Sequence, residues 1–549
     1  MIREIMGHTL VSDTLGGSFD WAVADHPDRE FAWFEDEVYT LAELDDMARQ
    51  VGAALARDGV EPGDRVAVLM YPSPWHLAVL LACARQGFVW CPLNVALARN
   101  DLTYSLDDLE PAFLLVDDDL TGTVDLVVAE HQRLQSIPQV RCATHSGKGG
   151  PNFSDGWLTS DRWQGACVAS ASDSFAIVYS GGTTGRPKGI EISQFYCLSA
   201  ALRLSEMADF DEHETFFSVL QFSHAWTPIT IMPFCLIFDH TFAFWRWWSA
   251  GQFVEAAHSC GATIVDPYAG MASTLFLSQD EFTPEAFPAT RGVAGWGGDE
   301  EASKRIRHQF EDRFGVHTLQ MYSLTEVGPL ACVEWEGEER RFGSSGKPRG
   351  WYDVIIADDE GMPLAQGEVG EILVHPRFPN IIAKGYINRA EDTLQTWRDL
   401  WVHTGDLGYF DPDGYLYFVG RQGHFLRRRG ELVSVSEVEA LIADLDEVRE
   451  VVVFAVPSEM GEDDIMAVLT LHPPSTLMPQ DVVDHCANEL AAFKVPLYVR
   501  VVDDMPRSAT KQEIERFRLV DLPRGEPLRA TKPRVATSNP NAQTQRDDA

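Results

Sequence analysis

Along the first 330 residues, short apolar runs alternate with longer stretches of helical period. Thr40-Leu41-Ala42-Glu43 is a capping box, in which a hydroxyl and a carboxylate each satisfy an orphan backbone N–H. It opens an amphipathic helix that stops at Gly59. Pro62-Gly63-Asp64 turns the chain into a buried strand over 65–70. A helix over 72–84 and a strand over 88–92 follow. Further strand-like runs lie at 112–116, 262–265 and 317–320. This alternation predicts the α/β class, with large β-sheets flanked by helices. Beyond residue 330 the punctuation changes. Glycine turns at 343–348 and 367–372 flank strands, Pro412-Asp413-Gly414 closes a hairpin into 415–419, and a helix at 436–441 precedes strands at 451–456 and 465–471. The pattern predicts a large N-terminal part built on β-sheets flanked by helices and a smaller α+β part after it. A polar tail rich in Pro, Asn, Gln and Thr over 523–549 is expected to be disordered.

Composition narrows the partners. A chain of 549 residues exceeds one ordinary domain, and 45% apolar content supplies ample core. The net charge of −39, with only eight lysines, disfavours nucleic acid and anionic membranes as partners. An anionic substrate therefore needs cations concentrated locally. The nine cysteines are scattered without a Cys-x-x-Cys pair, which fits buried thiols in a reducing compartment. The longest apolar stretch, 229–238, contains Pro233 and is too short to span a bilayer, and the N-terminus carries no signal-peptide core. A cytoplasmic enzyme is expected.

The candidate chemistry centres on residues 177–190, IVYSGGTTGRPKGI. Between Ser180 and Lys188 stand three glycines (Gly181, Gly182, Gly185), three hydroxyls (Ser180, Thr183, Thr184) and a lysine, directly after a strand. Glycines bring backbone N–H groups close to an anion, hydroxyls donate to phosphate oxygens, and lysine adds a point charge. The spacing is not that of a Walker A loop, since Pro187 precedes the lysine. Such a loop is a polar surface turn or an anion cradle. Further on, Tyr322-Ser323-Leu324-Thr325-Glu326 offers a ring, hydroxyls and a hard oxygen donor. Asp406, in Trp401-Val402-His403-Thr404-Gly405-Asp406, is an acceptor-only group suited to two O–H donors. Arg427, Arg428 and Arg429 form the densest basic cluster, either a solvated charge run or an anion site.

In this order the segments resemble the adenylate-forming (AMP-binding) superfamily, which includes acyl-CoA synthetases, carrier-protein adenylation domains and luciferases. The resemblance covers residues from about 30 to 520, and it implies a large multi-subdomain N-terminal domain over 1–420 and a small mobile α+β C-terminal domain over 421–522. It implies an acid–thiol ligase that converts a carboxylate and ATP to an acyl-adenylate and pyrophosphate, then passes the acyl group to CoA with release of AMP. It makes Ser180, Gly181, Gly182, Thr183, Thr184, Gly185 and Lys188 the phosphate loop. Gly297 and Gly298 become the turn beside the adenine, and Tyr322 the ring against it. Thr325 goes to the α-phosphate, Thr184 and Glu326 to Mg²⁺, and Asp406 with Arg421 to the ribose. His224, Trp226, Trp296 and Met321 would line the acyl pocket. Arg427, Arg428, Arg429 and Gly430 would meet the CoA phosphates, and Lys511 would be the adenylation lysine. Thr184, His224, Glu326 and Lys511 form the expected catalytic set.

The chain departs from the family pattern at several points. Asp299 replaces a small residue and Ser323 a glycine. Gly423 and His424 stand where the hinge normally carries an acid or lysine. One extra residue between Pro506 and Phe517 puts Lys511 at the usual glycine position, while alignment from the following helix puts Glu513 at the lysine's place. The segment 427–439 and Ala492-Phe493-Lys494-Val495-Pro496 look most like the carnitine/crotonobetaine-CoA ligase branch. The expected partners are a small-molecule carboxylic acid and CoA, with a carrier protein as the alternative acceptor and a homodimer as one assembly. A degenerate nucleotide-binding regulator is the alternative from another class.

Overall fold

Helix Leu41–Arg57 starts as the sequence predicts: the Thr40 hydroxyl accepts the Glu43 N–H at 3.2 Å and the Glu43 carboxylate accepts the Thr40 N–H at 2.8 Å. The structure, a computed structural model, describes residues 3–97, 99–131, 133–143, 152–153, 156–180, 187–247, 249, 251–266, 291–294, 301–358, 360–421, 425–428, 431–458, 463–506, 519 and 522–530.

The first large sheet has eight strands. From one edge they run Gly385–Tyr386, Lys188–Ser193, Ser174–Ser180, Val89–Pro92, Arg65–Leu69, Phe113–Asp117, Gln139–Ala143 and Asn152–Phe153. Its centre is parallel, and helix α1 (Arg99–Leu109) lies between Val89–Pro92 and Phe113–Asp117 in sequence. Strands β1 (Ser174–Ser180) and β2 (Lys188–Ser193) pair antiparallel, ending on Ser180 opposite Lys188. The glycine-rich segment thus connects the two strands of a hairpin, and β2 pairs on its other side with the edge strand Gly385–Tyr386.

The second sheet has nine strands, in which β3 (His317–Leu324), Arg291–Ala294, Ile264–Val265, Thr215–Ser218, Thr241–Phe244 and Glu30–Phe34 are neighbours and all parallel. Helix Pro74–Gln86 is buried on every side, and one apolar cluster joins it, helix Gln194–Ser205 and residues of both sheets. A helix without a polar face belongs in an interior, which explains the unbroken apolar run Leu77–Ala84. Next comes a five-stranded, mostly antiparallel sheet that includes Tyr352–Ala357, Gly370–Pro376 and β4 (Trp401–Phe410), with α2 (Ala390–Thr396) before β4 in the chain.

After Arg421 the chain forms the hairpin of β5 (Phe425–Arg428) with Glu431–Ser434, then helix α3 (Val435–Ala443). A three-stranded sheet of Val448–Pro457, Asp463–Leu471 and Tyr498–Val501 and helix Pro479–Glu489 complete a smaller α+β unit with its own apolar cluster. The α/β class with a large N-terminal and a smaller C-terminal part is what the hydrophobic pattern predicts. Leu528 packs on the small unit and donates its N–H to Leu497, while Arg524 donates to the Pro457 carbonyl, so residues 523–530 run along this unit. Among the described residues the eight cysteines are free thiols, and no helix is long and apolar enough to cross a membrane.

Candidate active site

Open α/β sheets bind ligands outside the carboxyl ends of their strands. In the nine-stranded sheet that edge carries Tyr322 near the end of β3, Asp266 after Ile264–Val265, and His224 and Trp226 after Thr215–Ser218. Tyr322 and Asp406, assigned separately from two motifs, meet: the phenol donates to Asp406 Oδ2 at 2.8 Å, and the two residues are 6% and 2% exposed. Asp406 stands opposite Arg421 in strand register. Its approach is set by Glu371, whose carboxylate accepts the Gly405 N–H at 2.9 Å and holds the His403 ring at 2.9 Å. Gly405 has φ of +69°, a left-handed conformation that side chains disfavour, so the glycine lets the strand turn its aspartate inward.

The segment after β3 is held from two sides. The Tyr196 phenol donates to the Thr325 carbonyl at 2.9 Å, and the Tyr386 phenol donates to Glu326 Oε1 at 2.9 Å. The Glu326 carbonyl also receives the Ala383 N–H. Glu326 is therefore a half-buried carboxylate with an imposed orientation. One hard oxygen donor of this kind fits Mg²⁺, which keeps several waters and shares its remaining positions with substrate phosphates. Among the described residues no group of three or more His, Cys, Asp or Glu gathers to hold a metal by itself.

Lys188, expected in the phosphate loop, has partners within the protein. It is 5% exposed, its ammonium sits 3.0 Å from Asp392 of α2 and 4.7 Å from the centre of the Tyr386 ring. As the first residue of β2 it belongs to the stem of the hairpin, where an apolar setting requires a paired charge. Its charge is matched within the protein, and it braces the tyrosine that orients Glu326. Gly181, Gly182, Thr183, Thr184 and Gly185 lie outside the described residues, as do Trp296, Gly297, Gly298 and Lys511, the hinge pair Gly423 and His424, and the linker at 146–151. Of Ser180 and Arg421 only the backbone is described.

Among the residues expected to line an acyl pocket, Trp226 and Met321 are buried and His224 is half-buried, its N–H bonded to the Gln221 carbonyl. A π-helical turn, Trp226–Ile231, follows His224. Widened turns of this kind are frequent at functional sites. Beneath them lies a polar cluster that motif reading missed. Ser218 Oγ donates to Asp266 Oδ2 at 2.7 Å and contacts Thr227 Oγ1 at 2.7 Å. Burial pushes the Asp266 carboxyl up to about 8, against the opposing bond from Ser218. A raised folded-state value stabilises the protein most at low pH, and that contribution declines as pH rises toward 8, by roughly 1.4 kcal/mol per pH unit. Asp266→Asn, which keeps an acceptor for Ser218, should therefore raise the melting temperature. The gain should grow between pH 5 and pH 8.5 in scanning calorimetry, and a constant difference would show that Asp266 does not titrate there.

The arginine cluster divides. Arg428 lies in β5 (Phe425–Arg428). Arg428 is 7% exposed, donates to the Val495 and Phe493 carbonyls and pairs with Asp464 at 3.3 Å. Its guanidinium is engaged within the small unit. The Arg427 side chain, Arg429 and Gly430 lie outside the described residues. Arg428→Ser should cost about 3 kcal/mol of stability, because Asp464 loses its buried partner. Calorimetry beside a CoA titration checks this: a higher KM for CoA at unchanged melting temperature would return Arg428 to the CoA site.

The sequence profile of the AMP-binding enzyme family matches residues 19–387, more than half of the chain. The chain belongs to the AMP-binding enzyme family. Its companion, the AMP-binding enzyme C-terminal domain, matches residues 437–512. The crotonobetaine/carnitine–CoA ligase of Escherichia coli O1:K1 is 26% identical over 483 residues, covering 87% of this chain and 92% of the relative. Among solved structures, a double mutant of o-succinylbenzoate CoA synthetase (MenE) from Bacillus subtilis bound to OSB-NCoA has a TM-score of 0.79 at 23% identity. It covers 92% of this chain and 98% of its own. ATP-bound MatB from Rhodopseudomonas palustris has a TM-score of 0.67 at 24% identity, with 92% and 98% covered. This AMP-binding enzyme thus shares with those proteins a fold that spans both of its units.

Proposed function

We propose that the buried Tyr322–Asp406 contact marks the nucleoside site of this AMP-binding enzyme, and that it carries the functional reading. The enzyme is an AMP-forming acyl-CoA ligase: it activates a carboxylic acid with ATP as an acyl-adenylate and transfers the acyl group to CoA. Asp406 receives the ribose hydroxyls, with Arg421 beside it, and the Tyr322 ring packs on the adenine. Thr325 donates to the α-phosphate, and Glu326 with Thr184 holds Mg²⁺. When bound, Mg²⁺ neutralises charge on the phosphates. The hydroxyl-rich loop 180–185 orients the pyrophosphate, and Lys511 bridges the acid and the α-phosphate. His224, Trp226, Trp296 and Met321 face the acid. The large domain is placed at 1–420 and the small one at 421–522, pivoting at Gly423 and His424 between the two half-reactions.

A cytoplasmic location suits the free thiols. The curated relatives are named for crotonobetaine and carnitine, so short zwitterionic acids are the first to try. A carboxylic-acid screen reading AMP release with and without CoA tests the function. Turnover with CoA alone supports the ligase, and release only with an added carrier protein would favour the alternative acceptor. No pyrophosphate exchange with any acid would overturn both.

A further inference from the structure

We infer that Lys494 of the small unit is a positioning residue for the phosphate loop, acting through helix α1. The inference rests on reading residues 180–188 as that loop. Lys494 is 5% exposed, and its ammonium lies 2.8 Å from Glu437 of α3 and 3.4 Å from Asp101, in the first turn of α1. Burial works against the Lys494 charge, but Asp101 and Glu437 outweigh it, and the lysine is held protonated. The same turn of α1 is held again where Asn100 donates to Glu489 at 2.7 Å. The small unit therefore grips the N-terminal end of α1.

The rest of α1 holds both feet of the loop. The Tyr104 phenol donates to the Pro187 carbonyl at 2.9 Å and itself receives a bond from Arg389. The Tyr179 phenol donates to the Ser105 carbonyl at 3.2 Å and to Asp108 Oδ2 at 3.1 Å. Tyr179 and Pro187 flank the segment 180–186, one on the incoming strand and the other on the outgoing side. A hydrogen-bonded helix moves as a body, so a displacement imposed at Asp101 reaches Tyr104, Ser105 and Asp108 within two turns. When the small unit swings away, Asp101 loses a buried ammonium, a strongly unfavourable change unless α1 shifts toward water. Docking of the small unit is in this way transmitted through α1 to Tyr179 and Pro187, the two feet of the loop.

The test is isothermal titration of MgATP into the full-length enzyme, which needs no acid. Lys494→Met should weaken MgATP binding about three- to tenfold, the scale of coupling through a packed element. Tyr104→Phe should weaken it as well, and the double variant should bind no worse than Tyr104→Phe by more than about twofold. Asp101→Asn reads the same coupling from the large unit and should match Lys494→Met, which covers the case in which the lysine variant fails to fold. Unchanged MgATP affinity in folded Lys494→Met or Asp101→Asn, or additive losses in the double variant, would overturn the inference. A wild-type enzyme that does not bind MgATP would instead overturn the loop assignment.

Discussion

Glu326→Gln abolishes acyl-adenylate formation while the protein stays folded. The Glu326 carboxylate accepts one bond, from the Tyr386 phenol at 2.9 Å, and a glutamine carbonyl accepts the same bond. The surrounding geometry, including the Ala383 N–H on the backbone, does not involve the charge. What disappears is an anionic oxygen for Mg²⁺, and neutral amides are poor substitutes for it. The expected loss is about a thousandfold in pyrophosphate exchange, roughly 4 kcal/mol of transition-state stabilisation. Exchange assayed across a range of Mg²⁺ concentrations checks it. Wild-type turnover at low Mg²⁺ would remove Glu326 from the metal site. Tyr386→Phe, which frees the carboxylate to rotate, should show a milder version with a raised Mg²⁺ requirement.

Lys511→Ala slows acyl-adenylate formation by orders of magnitude and spares thioester formation from a supplied acyl-adenylate. The acid and the α-phosphate are both anionic when the new bond forms, and a cation between them lowers that repulsion. Glu513, the alternative at this position, would add to it. The sequence predicts a loop over the segment 506–517, where one extra residue can be absorbed, and a lysine side chain can reorient over several ångströms. The two half-reactions separate if, as proposed, the small domain pivots and withdraws the lysine before CoA attacks. Single-turnover measurements of each half-reaction decide the matter. Adenylation at the wild-type rate would make Lys511 a bystander, and equal loss in both halves would point to a folding role.

The residues legible in the sequence are those whose chemistry is local. The Thr40–Glu43 cap is written in four consecutive residues, and Tyr322 and Asp406 stand out within short motifs. Their meeting across 84 positions was implied only by the family resemblance. Glu371 looked like one more turn-and-strand glutamate, because its grip on His403 and Gly405 exists only once two strands pair. Asp392 and Tyr386 lie some two hundred positions from Lys188, so nothing near the lysine announced that its charge was already matched. The partners of Arg428 are Asp464 and the Val495 carbonyl, so nothing within the arginine cluster announced that its guanidinium was engaged. Asp266 precedes a proline in an otherwise apolar run, and only its partner Ser218, 48 positions away, makes it part of a cluster.

The Tyr322–Asp406 bond also has a calorimetric consequence. The carboxylate is oriented during folding, so a nucleoside arriving at it freezes few side-chain rotations. Each side chain already held removes about 0.5–1.5 kcal/mol of entropic opposition to binding. AMP association should accordingly show a large exothermic signal with a small entropic penalty. Tyr322→Phe, which releases the carboxylate while keeping the ring, should enlarge that penalty and leave the heat of binding nearly the same.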